Sequence, residues 1–297
     1  MKKRDITSLL LPILIFSAAS CSKDSKIETI ESVKFSASYE DGAQTKSTAA
    51  FTMSNKSTIY GYTSGAVLSS ASPMAGLPVE ATATAAGILT PASSVYLPKG
   101  LYDFYSVSLN NSSSPAMNFT SGTSDQLSNG NDYLWAKAVN VAEGGTASFS
   151  YKHRAVLVQV NVAAGTGVTN LSVLDIKIDK PTAGTSSKMT LADGIIGSAT
   201  AIGSTVESMA GSGNSRSSII LPLSSLPLKV EIYVNATIGG NNVTNKKYSA
   251  TIPAQQYSGG TKYSVNFTIS ASALTFTGAQ IEDWTSSTIT PPPITEN

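Results

Sequence analysis

The stretch Phe149–Val162, FSYKHRAVLVQVNV, limits what this chain can fold into more than any other. Val156, Val158, Val160 and Val162 alternate with Leu157, Gln159 and Asn161. A period of two over this length is a strand with one face in a core. The stretch opens on an aromatic pair, Phe149 and Tyr151. It then passes through the single histidine, His153, and through Arg154. Ala163–Gly167, AAGTG, is a turn-rich break. The run therefore reads as the last strand of one β domain and the doorway to a second.

The same pattern recurs on both sides. Val33, Phe35 and Ala37 alternate with polar partners in Glu31–Tyr39. Thr58–Thr63, Leu101–Leu109 and Asp132–Val141 are further strands, with a short one around Met117–Phe119. Residues 64–94 hold two or three more. Gly144-Gly145 turns Asp132–Val141 back into the central run as a hairpin. After Gly167, Leu174, Ile176 and Ile178 alternate with charged residues. Lys188–Leu191 and Ile195–Ala199 flank Asp193-Gly194 as a tight hairpin, and Gly203–Ser217 reads as a loop. Val230, Ile232, Val234, Ala236 and Ile238 mark one long strand; Tyr263, Val265, Phe267 and Ile269 mark another, and Ala273–Ile281 is the last. Pro291–Pro293 cannot extend a ladder. Short strands at short intervals predict an all-β protein of β-sandwich architecture. The break near residue 165 predicts two domains, 21–165 and 166–297.

Charge narrows the function. Charged residues are 13% of the chain, against about 25% in ordinary soluble proteins. The net charge is +1, and removing residues 1–20, with three basic residues and one acidic, makes it −1. A nucleic-acid surface needs clustered Lys and Arg, so nucleic acid is not an expected partner. No calcium loop or phosphate-cradling glycine loop occurs, and Gly211–Gly213 is a lone GSG. His153 has no thiol partner, because the single cysteine, Cys21, lies at the N-terminus. No cofactor, metal or catalytic residue is expected, and the chain does not read as an enzyme.

The N-terminus is a signal peptide, residues 1–20. Lys2, Lys3 and Arg4 precede the apolar run Leu9–Phe16, and Ala18, Ala19 and Ser20 precede Cys21. Ala18–Cys21 resembles the cleavage box of bacterial lipoproteins, which implies lipidation of Cys21 and anchoring in the outer membrane. Ordinary secretory cleavage beside an incidental cysteine is the alternative. Ser22-Lys23-Asp24 resembles the short acidic surface-export signal of lipoproteins in gut and oral Gram-negative anaerobes. Gln44–Ala50 is small and polar, a composition favoured at sites of proteolytic nicking.

Several features together resemble the fimbrillin family, the subunits of type V pili. They are the lipoprotein signal, the DYLWA run at Asp132–Ala136 and the F-x-Y-x-H-R run at Phe149–Arg154 with its alternating valines. To these add Gly259-Gly260-Thr261-Lys262-Tyr263 and Ile281-Glu282-Asp283-Trp284. The resemblance covers most of residues 21–290. It implies two transthyretin-like β-sandwich domains in tandem. It also implies export as a lipoprotein, removal of an N-terminal segment that contains a strand, and filling of the vacated groove by a neighbour's strand. Here the removable segment would be 21–46, carrying Val33–Tyr39, with the cut at Lys46-Ser47. The best-known family members are cut after an arginine, and none lies between Cys21 and Arg154. The alternative is an uncut anchor or terminal subunit. The donor strand would carry Leu274, Phe276, Ile281 and Trp284, unless that strand stays in its own domain. The implied partners are other pilus subunits, the outer membrane and surface ligands of host or bacterium. A second reading is a surface glycan-binding lipoprotein using Trp135 and Trp284 as sugar platforms, although strand aromatics more often lie in a core.

Overall fold

The computed structural model describes residues 31–40, 50–85, 87–115, 117–271 and 274–284. Cys21, Lys46 and Ser47 lie outside the described residues. The described residues form strands and turns, with no helix.

The first half contains β1 (Lys34–Tyr39), β2 (Lys56–Thr63), β3 (Val79–Ala85), β4 (Ile88–Pro91), β5 (Leu101–Ser108), β6 (Phe119–Thr120), β7 (Thr123–Ser124), β8 (Leu134–Ala142) and β9 (Thr146–His153). Seven of them hydrogen-bond in a closed cycle, in the order β1-β4-β3-β2-β5-β8-β9. β6 and β7 form a separate two-stranded ladder. Every pairing in the cycle is antiparallel except the one that closes it, β1 with β9. Phe35, Phe104 and Phe149 lie in its core with Ile59, Leu134 and Tyr151. Closure matters physically, because a complete cycle leaves no strand edge exposed.

The second half contains β10 (Val156–Ala164), β11 (Val168–Pro181), β12 (Ile202–Ser208), β13 (Ala210–Ser212), β14 (Ser215–Ile220), β15 (Leu223–Ile238), β16 (Asn241–Tyr257), β17 (Thr261–Ile269) and β18 (Leu274–Asp283). They make a five-stranded sheet, β13-β14-β10-β17-β18, and a four-stranded sheet, β12-β11-β15-β16. One core joins the two: Val156, Val158, Val160, Val162, Val265 and Phe267 of the first sheet pack in the same cluster as Ile176, Ile178, Ile232 and Val234 of the second. A third cluster covers the other faces of β2, β5 and β8. In it Tyr60, Tyr62, Tyr105, Val107 and Trp135 meet Leu68, Met189, Leu191 and Leu221. This double coverage explains why β5 is buried along nearly its whole length rather than at alternate positions.

Two sequence expectations are corrected. Phe149–Val162 is not one strand closing the first domain. β9 ends at His153 and pairs with β1 and β8, whereas β10 begins at Val156 and pairs with β14 and β17 in the other sheet system. The handover therefore falls at Arg154-Ala155, ahead of the break expected near residue 165. Its cause is a one-residue change of phase. Tyr151, His153 and Ala155 are buried on odd positions, and Val156, Val158 and Val160 on even ones. A slip of one residue turns every later side chain to the opposite face, so a continuous run serves two cores. The second correction concerns Gly203–Ser217, which spans β12, β13 and the start of β14 rather than a loop. These edge strands are mostly exposed on both faces, so no alternation announces them.

Candidate functional site

β1 sits in a seat made by three other strands. Val33, Phe35, Ala37 and Tyr39 point inward and are between 3% and 5% exposed. Phe35 meets Phe104 edge-on at 5.5 Å and lies parallel to Phe149 at 6.2 Å. Tyr39 packs on Phe51 at 5.5 Å. Burying one such aromatic side chain contributes roughly 1.5–3 kcal/mol. Outward, the Ser36 hydroxyl donates to that of Ser148 at 3.0 Å.

The backbone of β1 is held mainly on one side. It runs parallel to β9 in unbroken register, from Lys34 opposite Thr146 to Tyr39 opposite Tyr151. On the other side it pairs with β4 only at Phe35–Leu89 and Ser36–Ile88, helped by Ala37 N–H to Gly87 O at 2.8 Å. Beyond the seat, the Tyr151 hydroxyl is wholly buried against that of Ser106 at 2.6 Å, and burial pushes its pKa up to about 12. The seat is apolar, with the buried Tyr151 phenol at its end. It suits an extended segment that presents apolar side chains at every second position.

The C-terminal strand, β18, lies at the edge of the five-stranded sheet, antiparallel to β17. Leu274 lies opposite Ile269 and Phe276 opposite Phe267 in backbone register, and Ile281 opposite Tyr263 is 57% exposed. Trp284 follows the strand. Its ring stacks on His153 with centroids 4.1 Å apart and planes 11° from parallel. The strand is thus seated in its own fold here, the arrangement left open beside donation to a neighbour.

His153 and Arg154 are structural. His153 Nδ1 lies 2.6 Å from Asp132 Oδ1, and both side chains are largely buried. Arg154 lies over the Trp135 ring at 4.7 Å and donates to Asp193 O at 2.7 Å. Burial lowers its pKa from the ordinary guanidinium value. Trp135 is buried and donates its indole N–H to Leu191 O. Trp135 is buried with Arg154 over its ring, so it is not a free sugar platform; Trp284 is partly buried, with one face on His153. Among the described residues no group of three or more His, Cys, Asp or Glu is placed to hold a metal.

An all-β chain with a parallel-paired N-terminal strand and a C-terminal edge strand matches the fimbrillin-like family over residues 43–284. The chain belongs to that family. Among solved structures, a Bacteroides uniformis ATCC 8492 protein assigned to cell adhesion superposes with a TM-score of 0.63 at 16% identity. The likeness covers 86% of this chain and 99% of that one. A similarly assigned protein of Bacteroides ovatus ATCC 8483 gives 0.59 at 16% identity, over 87% and 99%. A fimbrial protein of Bacteroides vulgatus ATCC 8482 gives 0.57 at 13%, over 85% and 99%. At these identities the likeness is one of fold. No curated protein matches the chain in sequence. Membership in the fimbrillin-like family makes the chain a fimbrial subunit or adhesin of the cell surface and not an enzyme. The matched span starts after β1 and ends on Trp284.

Proposed function

We propose that this fimbrillin-like chain is a structural subunit, or a tip or anchor adhesin, of a type V pilus. It is exported as a lipoprotein and held in the outer membrane through Cys21. A cut at Lys46-Ser47 then removes segment 21–46 with β1. The empty seat takes a strand from another subunit, and the donor is β18, with Leu274, Phe276, Ile281 and Trp284.

The observation that carries this reading is the construction of the β1 seat. β1 is the first strand among the described residues, its closing pair with β9 is parallel, and its grip on β4 is two residue pairs long. Removing it opens two strand edges and a slot lined by Phe104 and Phe149. Unpaired backbone groups and apolar surface are what an added strand satisfies. Two domains, divided at the handover from β9 to β10, are the units that would be linked along the pilus.

The test is the N-terminal residue of protein recovered from cell surfaces. A start at or near Ser47, with a ladder of oligomers, is expected of a stalk subunit. A start at lipidated Cys21 with monomers alone overturns the stalk role and leaves anchor or tip.

A further inference from the structure

Four of the sequence motifs meet at one place that the assembly reading does not use. Asp132 opens DYLWA, His153 stands in FSYKHR, Gly259-Gly260 open GGTKY and Trp284 closes IEDW. The two glycines turn the chain directly over the β9 terminus. A Cβ on Gly259 would lie 2.4 Å from Arg154 O, and one on Gly260 2.8 Å from His153 O, so the approach requires glycine at both positions. Gly260 N–H donates to Ala155 O at 2.7 Å, and Gly260 O accepts from Trp284 N–H at 2.8 Å. Trp284 is thus held by its backbone on this turn and by its ring on His153.

His153 is in turn tied to β1. Its partner Asp132 accepts at Oδ2 from Asn110 Nδ2 at 2.7 Å. Asn110 Oδ1 accepts from the Tyr39 hydroxyl at 2.6 Å and from Asn55 Nδ2 at 2.9 Å. The Tyr39 ring itself lies 6.5 Å from His153 and only 6° from parallel. Lys152 bridges to Glu40 at 2.9 Å, and Glu40 N–H donates to Tyr151 O. The last residues of β1 and β9 therefore form one unit, and Trp284 rests on the end of it.

We propose that Tyr39, Asn110, Asp132, His153 and Trp284 form a latch through which β1 in its seat fixes the end of β18. Vacating the seat removes Tyr39 from Asn110 and takes the parallel partner from β9. His153 keeps Asp132 but loses the Tyr39 ring beside it, Asn110 behind Asp132 loses its phenol partner, and the platform under Trp284 loosens. The C-terminal strand is freed at its Asp283 end while the pairing near Leu274 remains. In a filament, a subunit would offer its donor strand only after its own β1 had left. This use rests on the assembly reading above, whereas the coupling is a property of the folded chain alone. Thermodynamic linkage makes it reciprocal: loosening Trp284 must loosen β1 by the same factor.

Hydrogen exchange of the full chain tests the latch. Tyr39→Phe deletes one hydroxyl and leaves the ring in the core, and Asp132→Asn keeps the shape while removing the charge. Both are expected to speed exchange of amides in 274–284 by about fivefold or more, the low end of ordinary site-to-site coupling. Trp284→Ala is expected to do the same to amides 34–39. Tyr102→Phe is the control, since that hydroxyl donates to Pro98 O elsewhere in the same core. Unchanged exchange at 274–284 in both Tyr39→Phe and Asp132→Asn overturns the latch, as does an equal rise in Tyr102→Phe, which would mark general loosening. A latch response in a protein that never polymerises supports the coupling and removes its use in assembly.

Discussion

At the residue scale, a buried carboxylate with two lysine partners lies away from the β1 seat, on β15. Glu231 is 5% exposed, with Lys247 Nζ at 2.7 Å, Lys229 Nζ at 2.9 Å and the Tyr233 hydroxyl donating at 3.0 Å. These partners, Lys247 foremost, hold its carboxyl down from 4.5 to about 2. A carboxylate with a depressed folded-state pKa adds stability that is fully present above its ordinary value. That stability is lost as pH falls through the folded value. Here the window runs from about 4.5 down to about 2. Glu231→Gln is expected to lower Tm near neutral pH, with the wild-type and variant curves converging as the pH falls through that window. A Tm difference that stays constant across it would show that the carboxylate charge contributes nothing. Lys229 and Tyr233 stand two residues either side of Glu231 on β15 and so share its face, as the strand period implies, whereas Lys247 comes from β16, opposite Tyr233, and sequence spacing gave no sign of that partner.

At the element scale, β1 is the strand whose removal would open the first core. Phe35→Ala removes a ring packed between Phe104 and Phe149 and is expected to destabilise the chain by about 3–5 kcal/mol in denaturant titration. Ser38→Ala, on the outward face of the same strand, is expected to stay within about 0.5 kcal/mol. Equal effects would mean that β1 contributes no core. The alternation of Val33, Phe35 and Ala37 was legible in the sequence, as were β10, β15 and β17, because a half-buried strand writes its period into residue type. Other features were written less plainly. The move from β9 to β10 leaves only a phase slip, from aromatic odd positions to valine even ones, which is visible once the period is counted through His153 and Arg154. β12 and β13 bury too little to show any period. The contact of Trp284 with His153 joins strands far apart in the chain, and the family motifs marked its members without showing that they touch.

At the scale of the whole molecule, a closed cycle of strands is followed by a two-sheet sandwich, and Tyr39 at the end of β1 and Trp284 just past β18 both lie against His153, just before the handover from cycle to sandwich. β1 closes the cycle, β9 carries its register to His153, and Trp284 ends on that ring. The net charge of +1, or −1 without residues 1–20, provides little long-range repulsion between copies, which suits close assembly. Assembly by strand addition requires the β1 seat to be vacated before subunits join. Ser36 and Ser148 are register partners across the β1–β9 seam, with hydroxyl oxygens 3.0 Å apart, so a cysteine pair at these positions can test whether β1 must leave. The most direct measurement compares surface oligomers of the Ser36→Cys, Ser148→Cys double variant under oxidising and reducing conditions, beside wild type and both single variants. Oxidation is expected to abolish the oligomer ladder of the double variant alone, and reductant to restore it. An undiminished ladder with β1 covalently held in its seat would contradict that requirement.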